Sequence, residues 1–468
     1  MGRAYGLHGW VATAAMASAL LFLLATPAAA ATTAAAEGPP LAQPQPPVAR
    51  WNVSIGPAWR GANPVVAVAG SATSSFAAIV AVAVDAASNR SFLVALDHRN
   101  GTRLWSSPKL ASAVCQPVVS VTGRTVYVLE AACAAGACRL FAVSSETGAL
   151  KWSATAPATA AMPASAATLS APPPALAPAN GGINGDATDA VAAVYTCDGG
   201  RPCLVATAAA SGVALWTAAL CASPQHEACN ATGVVVANNT FFVAAVGLLS
   251  GTARLLGYNA TTGATVLTYE LPFGGDPAID ARNIATDATS YVFISAVGPG
   301  YGLCAIGVAS DTTAPSATTT ASALWCATDE ASAIVGGLVV NPFNNTVTVN
   351  APPSVSAFAM DTGNVLWRFR PADPATVDSG VGVAPHGKWA VAFAQPPSPS
   401  VAVDFFVLPS EKWRAPLPAC EVPWGPAQML MRAWIVFATR DACGRRAASS
   451  MHVVVYQSSP DSGIIPPE

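Results

Sequence analysis

A repeated hairpin pattern constrains this chain more than any other feature of its sequence. In each copy an apolar segment leads into a short turn, and a second apolar segment carries Trp near its start. In five copies a Gly lies four residues before the Trp position. Because Gly readily adopts the positive φ of a tight turn, each copy predicts a β-hairpin. The five pairs are Gly101 and Trp105, Gly148 and Trp152, Gly212 and Trp216, Gly263 and Leu267 (which replaces Trp), and Gly363 and Trp367.

Two further copies depart from this rule. One ends at Trp325 and has a Ser-, Thr- and Ala-rich segment, residues 311–322, which we interpret as an insertion in the turn. The other ends at Trp413 and lacks the Gly. A Trp at one point of each unit would bury a large flat surface, most simply between neighbouring units.

Each hairpin is preceded by two more β-type segments, so that one unit has four strands. Successive Trp positions lie 42 to 64 residues apart. After Trp413 come three further β-type segments, 426–432, 433–441 and 452–458, and the missing Trp strand is found at residues 48–56, with Trp51. We therefore predict an all-β fold, an eight-bladed β-propeller of four-stranded antiparallel blades whose ring is closed by the N-terminal strand.

Short motifs inside the units match a known repeat. Residues 95–97 read Ala-Leu-Asp, residues 147–148 read Thr-Gly, and residues 359–363 read Ala-Met-Asp-Thr-Gly, with Trp367 four positions later. On these motifs residues 48–463 resemble the pyrroloquinoline-quinone (PQQ)-type propeller repeat of the quinoprotein alcohol dehydrogenase-like family. The resemblance implies an eight-bladed ring and, for the enzymes of that family, quinone-dependent alcohol oxidation that uses calcium.

The enzymes of that family use adjacent cysteines, a catalytic Asp, and carboxylate and amide ligands for calcium. This chain has no Cys-Cys dipeptide and no C-x-x-C-H haem site. It also lacks the metalloprotease, nucleophile-elbow, phosphate-loop and EF-hand motifs. We therefore favour a protein that is not an enzyme, name no catalytic residue, and do not predict bound PQQ or calcium.

The N-terminus has the three-part pattern of a secretory signal peptide. Arg3 precedes an apolar stretch, and small residues follow it, with cleavage expected after Ala30. The alternative is an uncleaved signal anchor from Val11 to Ala31. The predicted organisation is a signal peptide (1–30), an Ala- and Pro-rich linker (31–47), the propeller (48–463) and a short tail (464–468). We expect a secreted or lumenal protein without membrane attachment after cleavage.

A secretory route makes the Asn sequons and the cysteines informative. Seven N-x-S/T sequons are candidate glycosylation sites, although each Asn has an ordinary turn residue as its alternative interpretation. They are Asn52, Asn89, Asn100, Asn230, Asn238, Asn259 and Asn344.

Eleven cysteines leave at least one outside intrachain pairs. Hairpin and neighbouring-strand geometry predicts five disulfides and a buried free thiol at Cys115, whereas in a cytosolic chain some pairs would stay reduced. The predicted pairs are Cys133–Cys138, Cys197–Cys203, Cys221–Cys229, Cys304–Cys326 and Cys420–Cys443.

Several carboxylates fall in connections that a propeller places on one face. Asp276, Asp280, Asp329 and Asp378 are weak candidates for a cation site at the mouth of the central channel. The alternative, which we favour, is ordinary solvated loop carboxylates.

The composition and charge narrow the function. A hydrophobic fraction of 52% excludes a disordered tail, and a net charge of −3 gives no basic surface for nucleic acid. We favour a secreted or lumenal binding or scaffold propeller that presents its loops to an unknown protein or glycan. The alternatives are a quinoprotein-like oxidoreductase with a divergent site and, least favoured because no lipobox Cys is present, an assembly factor similar to bacterial outer-membrane lipoproteins.

Overall fold

Strands and turns, without a helix, make up the described part of the chain in this computed structural model. These residues all fall within one compact unit, Ala42–Glu468. The structure describes residues 48–57, 65–68, 78–85, 87–110, 114, 117–120, 123–130, 139–155, 175–177, 190–197, 202–221, 229–231, 233–247, 250–273, 284–296, 302–311, 318–327, 338–341, 345–351, 354–369, 382–383, 389–394, 402–407, 410–416, 421–423, 428–430, 434–441 and 450–457. No helix that could cross a membrane is found among them.

The described strands form eight antiparallel sheets, numbered here in chain order, after a first strand β1 (Val48–Pro57). Sheet 1 contains β2 (Val65–Val68), β3 (Ala78–Asp85), β4 (Arg90–Asp97) and β5 (Arg103–Ser106). Sheet 2 contains β6 (Val118–Val119), β7 (Thr125–Leu129), β8 (Arg139–Ser144) and β9 (Leu150–Thr155). Sheet 3 contains β10 (Ala175–Ala177), β11 (Ala190–Thr196), β12 (Pro202–Ala208) and β13 (Ala214–Ala219).

Sheets 4 to 6 follow the same order, except that two short strands share the first place in sheet 4. Sheet 4 contains β14 (Cys229–Ala231), β15 (Val235–Ala237), β16 (Thr240–Gly247), β17 (Ala253–Asn259) and β18 (Thr265–Glu270). Sheet 5 contains β19 (Ile284–Thr286), β20 (Tyr291–Ser295), β21 (Leu303–Asp311) and β22 (Thr318–Ala327). Sheet 6 contains β23 (Leu338–Asn341), β24 (Thr346–Ala351), β25 (Ser354–Ala359) and β26 (Val365–Phe369).

The last two sheets include the segments that follow residue 380. Sheet 7 contains β27 (Gly382–Val383), β28 (Trp389–Ala394), β29 (Ala402–Val407) and β30 (Ser410–Pro416). Sheet 8 contains β31 (Glu421–Pro423), β32 (Gln428–Leu430), β33 (Trp434–Asp441) and β34 (Ser450–Gln457). It also contains β1, which pairs with β34 so that Trp51 is opposite Val455.

In sheets 1 to 7 the third and fourth strands form the hairpin expected from the sequence. At the five turn glycines φ lies between +70° and +75°. In sheet 2 the N–H of Gly148 donates to the carbonyl of Ser144 at 2.9 Å. A bulge then precedes the Trp position, because Trp152 is opposite Ala142 while Leu150 is opposite Val143. The small residue opposite Trp leaves room for the indole ring.

At four described junctions the Trp side chain packs on the hairpin turn of the next sheet. The indole N–H donates to the backbone carbonyl three residues before the next turn Gly, and a Cβ on that Gly would lie 2.5 to 2.7 Å from the ring. Only Gly therefore fits below the indole. The bonds are Trp105 to Ser145 (2.7 Å), Trp152 to Ala209 (2.8 Å), Trp216 to Ala260 (3.0 Å) and Trp325 to Met360 (2.9 Å).

The junction between sheets 4 and 5 is different on both sides. Leu267 takes the Trp position and faces Gly257. The hairpin of sheet 5 has no turn Gly at the matching place and is longer, because β21 runs to Asp311 and β22 begins at Thr318. The hydroxyl of Tyr269 accepts a hydrogen bond from the N–H of Ala323 at 2.9 Å. A tyrosine contact to the strand thus takes the place of the Trp contact to the turn.

The extent of the turn insertion expected at 311–322 is therefore wrong. Asp311 and residues 318–322 are paired strand, with Asp311 opposite Thr318 and Val308 opposite Ala321. Thr is a good strand former, which explains why this polar segment extends the hairpin. Residues 312–317 lie outside the described residues.

The hydrophobic core lies between successive sheets rather than at one centre. Between sheets 1 and 2 it includes Val80, Leu93, Val126 and Phe141. Because both faces of a sheet are covered, the middle strands are buried along most of their length, and every residue of β7 is buried. The outermost strands are mostly exposed.

The short first strands contact one another from sheet to sheet. The contacting pairs are β2 with β6, β10 with β15, β15 with β19, β19 with β23, β23 with β27, β27 with β32, and β32 with β2. The strand β1 also contacts β3. The two ends of the described chain are therefore in contact through sheets 8 and 1.

Replacing Gly263 with Ala should destabilise the protein by two separate effects. A positive φ costs a non-Gly residue about 1–2 kcal/mol. A methyl group would also overpack the ring of Trp216, at about 1–3 kcal/mol. We expect a loss of about 2–5 kcal/mol in the free energy of unfolding, measured by chemical denaturation.

The control for this substitution is a double-mutant cycle with Trp216→Leu. In that background the methyl group has no indole to meet, so only the φ effect should remain. Equal losses in both backgrounds would contradict the contact between Gly263 and the ring.

Candidate functional site

The antiparallel order of the strands divides the connections between two faces. Turns that join the first to the second strand and the third to the fourth lie at one end of each sheet, which we call the turn face. Loops that join the second to the third strand, and one sheet to the next, lie at the other end, the loop face. Loops of this kind are where binding sites are usually built on a rigid scaffold.

In sheet 1 a charged cluster ties two loop-face connections together. The carboxylate of Asp85, at the end of β3, accepts hydrogen bonds from the Lys109 ammonium at 2.5 Å and from the hydroxyl and N–H of Ser88. The bond from Lys109, followed by that from Ser88, lowers the pKa of Asp85 to about 2. Lys109 follows β5, so this cluster joins the β3–β4 loop to the connection with sheet 2.

In sheet 2 a buried carboxylate has the corresponding role. Glu130 directly follows β7, and its side chain is only 8% exposed. Its Oε2 accepts from the N–H of Arg139 at 3.2 Å and from its Nε at 3.3 Å. The Arg139 guanidinium also lies over the ring of Phe141, 5.3 Å from the centroid. The ion pair therefore connects the end of β7 to the start of β8 at the loop face.

Disulfides occur at the same ends of sheets 3, 4 and 5. They join Cys197 to Cys203 across the β11–β12 loop, Cys221 to Cys229 across the connection between sheets 3 and 4, and Cys304 to Cys326 across the β21–β22 hairpin. Cys304 is directly opposite Cys326, with a Cα–Cα distance of 4.1 Å. These are three of the five pairs that the sequence predicts.

The remaining cysteine predictions concern residues that the structure does not describe. Cys133, Cys138, Cys420, Cys443 and the expected free thiol Cys115 all lie outside the described residues.

Six of the seven sequon asparagines fall in described segments, and Asn344 lies outside them. Asn100, Asn238 and Asn259 are at turns of the turn face, and Asn89 is in the β3–β4 loop. The side chains of Asn52, Asn89, Asn100 and Asn238 are exposed. Asn230 is in β14.

Several of these side chains have structural contacts. Asn100 Oδ1 accepts from the N–H and the hydroxyl of Thr102 at 2.9 and 2.8 Å. Asn259 Oδ1 accepts from the N–H groups of Thr261 and Thr262 at 3.0 and 2.9 Å. The Asn238 amide donates to the carbonyl of Thr289 in the next sheet.

The candidate cation ligands Asp276, Asp280, Asp329 and Asp378 all lie outside the described residues. Within the described segments, no group of three or more His, Cys, Asp or Glu side chains could hold a metal ion. The cation site at the channel mouth therefore stays a prediction.

A cavity of about 360 Å³ lies between sheets 3 and 4, near the loop face. Its apolar surface is formed by Leu220, Ala245, Leu256 and the Cys221–Cys229 disulfide. Hydroxyl groups and one cation complete the lining, and we call this space the sheet 3–4 cavity. These polar residues are Ser250, Thr252, Arg254, Tyr258, Thr265 and Thr268.

Tyr258 is one of the residues that line this cavity. Its hydroxyl donates to the carbonyl of Ala219 at 3.4 Å, and its ring stacks on Trp216 with centroids 6.3 Å apart. Burial disfavours the phenolate and raises the pKa of Tyr258 to about 12. The side chain is therefore a neutral donor throughout the physiological pH range.

A second and more open groove of about 360 Å³ follows the long hairpin of sheet 5. Its lining includes Ser290, Tyr291, Thr320 and Ser322, and none of its described lining residues is charged.

The sequence patterns do not predict the sheet 3–4 cavity or its residues Arg254 and Tyr258. No catalytic or metal-ligand motif includes either residue. An alignment of the units with one another would have drawn attention to Arg254, because sheet 2 has Arg139 at the same position relative to its turn.

Comparison with known proteins bears on the fold. A family model described as outer membrane protein assembly factor BamB matches residues 58–228. The quinohemoprotein alcohol dehydrogenase of Comamonas testosteroni is 12% identical with a TM-score of 0.52, and the match covers 90% of this chain and 78% of that chain. The chain has the β-propeller fold, and residues 58–228 match a family of pyrroloquinoline-quinone-type repeats. The resemblance inferred from its turn motifs is thereby confirmed.

Two more solved structures are similar to this chain. The dihydro-heme d1 dehydrogenase NirN, in complex with DHE, is 13% identical with a TM-score of 0.51, over 89% of this chain and 81% of that chain. BamB from Moraxella catarrhalis is 14% identical with a TM-score of 0.38, over 88% of this chain and 99% of that chain. No curated protein matches the sequence. At these identities the similarities establish the fold alone.

The substitution Tyr258→Phe should change how stability depends on pH above 10. The phenol ionises near pH 10 in the unfolded chain and near pH 12 in the folded protein. Its contribution to stability is therefore complete below pH 10 and is lost as the pH rises to about 12. The variant should lack this loss, so its free energy of unfolding should fall less than that of the wild type in this range. Parallel pH dependences of the two proteins would contradict the assigned burial of Tyr258.

Proposed function

We propose that this PQQ-type propeller is a secreted or lumenal glycoprotein that binds a protein or glycan partner through its loop face, without catalysing a reaction. The observation that carries the proposal is that cross-links recur at the loop-face ends of successive sheets. Sheets 1 and 2 have ionic pairs there, and sheets 3 to 5 have disulfides. Loops that are held in place lose little conformational entropy on binding, which favours recognition.

The disulfides also support the proposed location. Such bonds form and persist in oxidising compartments, and they are rare in the cytosol. The exposed positions of four sequon asparagines are compatible with glycosylation in the same compartment.

The propeller that we propose has eight blades, one for each sheet, in a ring closed by the N-terminal strand. Two observations support the closure. Because β1 pairs with β34, an N-terminal strand becomes part of the last sheet. The contacts of β32 with both β27 and β2 connect sheet 8 to its neighbours on both sides. In a closed ring the last blade packs against the first, so no gap separates them.

The second candidate function is a quinoprotein-like oxidoreductase, which the similarity to two dehydrogenase structures favours. Those enzymes use adjacent cysteines, and this chain has none, so its residues do not fit their site. We therefore derive no reaction step through PQQ or calcium.

Ring closure predicts that a chain starting at Pro57 is much less stable than one starting at Val48. Removal of residues 48–56 takes away the partner of β34, whose Val453 is fully buried. If Trp51 fills the Trp position of the last blade, loss of its burial alone should cost about 3–5 kcal/mol. The chain that starts at Val48 is the matched control, because it lacks the linker but keeps β1. Equal thermal unfolding temperatures of the two chains would contradict the closure.

The functional proposal can be tested on the full chain expressed in a eukaryotic secretory host. We expect the protein in the medium, a mass loss after glycosidase treatment, and saturable binding to at least one member of an array of extracellular glycans and secreted proteins. The variant Cys197→Ser/Cys203→Ser should weaken that binding, because the β11–β12 loop is no longer held. The variant Cys304→Ser/Cys326→Ser should weaken binding less, because Cys304 and Cys326 are directly opposite each other in strands that stay paired on both sides of them.

Two results would count against the proposal. Retention of the chain in the cytosol without glycans would contradict the proposed secreted or lumenal location. Dye-linked alcohol oxidation that depends on added PQQ and calcium would replace it with the oxidoreductase.

A further inference from the structure

The sheet 3–4 cavity contains an arginine whose counterpart in another sheet has a carboxylate partner. Arg254, on β17, is the only charged side chain that lines the cavity among the described residues. It makes no ion pair within 4.0 Å with any residue in the described part of the chain.

The strand registers identify the matching residues in sheet 2. Thr125 is opposite Ser144 there, and Thr240 is opposite Asn259 in sheet 4, at the start of equivalent turns. Counting five residues away from these pairs gives Glu130 with Arg139 in sheet 2 and Ala245 with Arg254 in sheet 4. The two arginines thus have the same position, and Ala245 stands where sheet 2 has Glu130.

Both contacts of Arg139 are absent from Arg254. Arg139 is paired with Glu130 and lies over Phe141, whereas the matching residues in sheet 4 are Ala245 and Leu256. Glu270 is opposite Arg254 on the outermost strand and is exposed, but the two side chains are not paired. The cavity occupies the side of Ala245 and Leu256 that faces sheet 3.

The rest of the lining suits an anion with an apolar body. Ser250, Thr252 and Thr268 supply hydroxyl groups, and no carboxylate is among the described lining residues. Leu220, Leu256 and the Cys221–Cys229 disulfide supply the apolar wall. One cation and hydroxyl donors over an apolar surface are the features by which a pocket selects and orients a small acid.

We propose that the sheet 3–4 cavity binds a small organic monoanion whose carboxylate pairs with Arg254 in the place that a glutamate takes in sheet 2. This site adds a small-molecule ligand to the proposed recognition of a partner by the loop face, and it does not depend on that recognition. The carboxylate can belong to an organic acid with an apolar body or to an acidic sugar, and both share the same contact with the guanidinium.

The probes for this site are benzoate, glucuronate and benzamide, titrated into the full chain by calorimetry. Benzoate and glucuronate carry the charge on an apolar and on a hydroxylated body, and benzamide is the neutral analogue of benzoate. We expect saturable binding of at least one anion, and binding of benzamide at least about tenfold weaker than that of benzoate. Tighter binding of benzoate identifies an apolar acid as the ligand, and tighter binding of glucuronate identifies an acidic sugar.

Three substitutions separate this site from non-specific binding. Ala245→Glu restores the carboxylate of sheet 2 and should abolish anion binding by pairing with Arg254. Arg254→Gln, which does not alter the core, should weaken binding at least about tenfold. Arg103→Gln removes an exposed arginine of sheet 1 and should have no effect.

Glu270→Gln tests whether the facing carboxylate competes for Arg254. We expect unchanged or tighter anion binding in this variant. Failure of both anions to bind the native protein would overturn the proposal. Affinities that are equal in the native protein and in Arg254→Gln would also overturn it, as would a loss in Glu270→Gln as large as that in Arg254→Gln.

Discussion

The contact between a Trp of one sheet and the hairpin turn of the next is the interaction on which the arrangement of the sheets depends. It combines a hydrogen bond from the indole N–H with a ring packed on a Gly that cannot carry a Cβ. The bond fixes the position of the turn, and the close contact fixes the distance. Because the same two constraints recur at four described junctions, neighbouring sheets meet in one geometry, and the apolar residues between them can pack in a constant pattern.

At the junction between sheets 4 and 5 both partners of this contact differ: Leu267 replaces the Trp, and the next hairpin has no turn Gly. A Trp at position 267 would have no Gly turn to pack on, since the hairpin of sheet 5 continues past that point as paired strand. Leu267 instead joins the aliphatic core between the sheets, and Tyr269 contacts the longer hairpin through Ala323. The longer hairpin is tolerated because the contact to the preceding sheet is made by a different residue.

Local signals made the repeat and its turns predictable from the sequence. The spacing of four between Gly and Trp is a property of a single hairpin, and the opposition of Cys304 and Cys326 follows from the same register. Contacts between units could not be predicted in this way. The carbonyl that accepts the bond from Trp216 belongs to Ala260, a residue whose side chain gives no sign of that role. The length of the sheet 5 hairpin is not predictable from composition, because Ser and Thr are common in turns, and only pairing with β21 makes them strand here. The sheet 3–4 cavity is not predictable from sequence motifs, because its lining residues belong to no motif. Only the comparison of Ala245 with Glu130 shows that Arg254 lacks the acidic partner of its counterpart.

Sheets 2 and 4 differ in the partners of their equivalent arginines, and the difference has a physical cost that can be compared. In sheet 2 the carboxylate of Glu130 is buried, so loss of Arg139 would leave an unpaired buried charge, a change that costs several kcal/mol. In sheet 4 the missing partner is the carboxylate, and the remaining arginine is exposed, so that water can solvate it. Removal of the acid is therefore far less destabilising than removal of the base. Because each sheet is held by contacts with its immediate neighbours, such a change leaves the other junctions intact. In sheet 4 the exposed arginine lies opposite an alanine, so a cavity and a cation occur at one place.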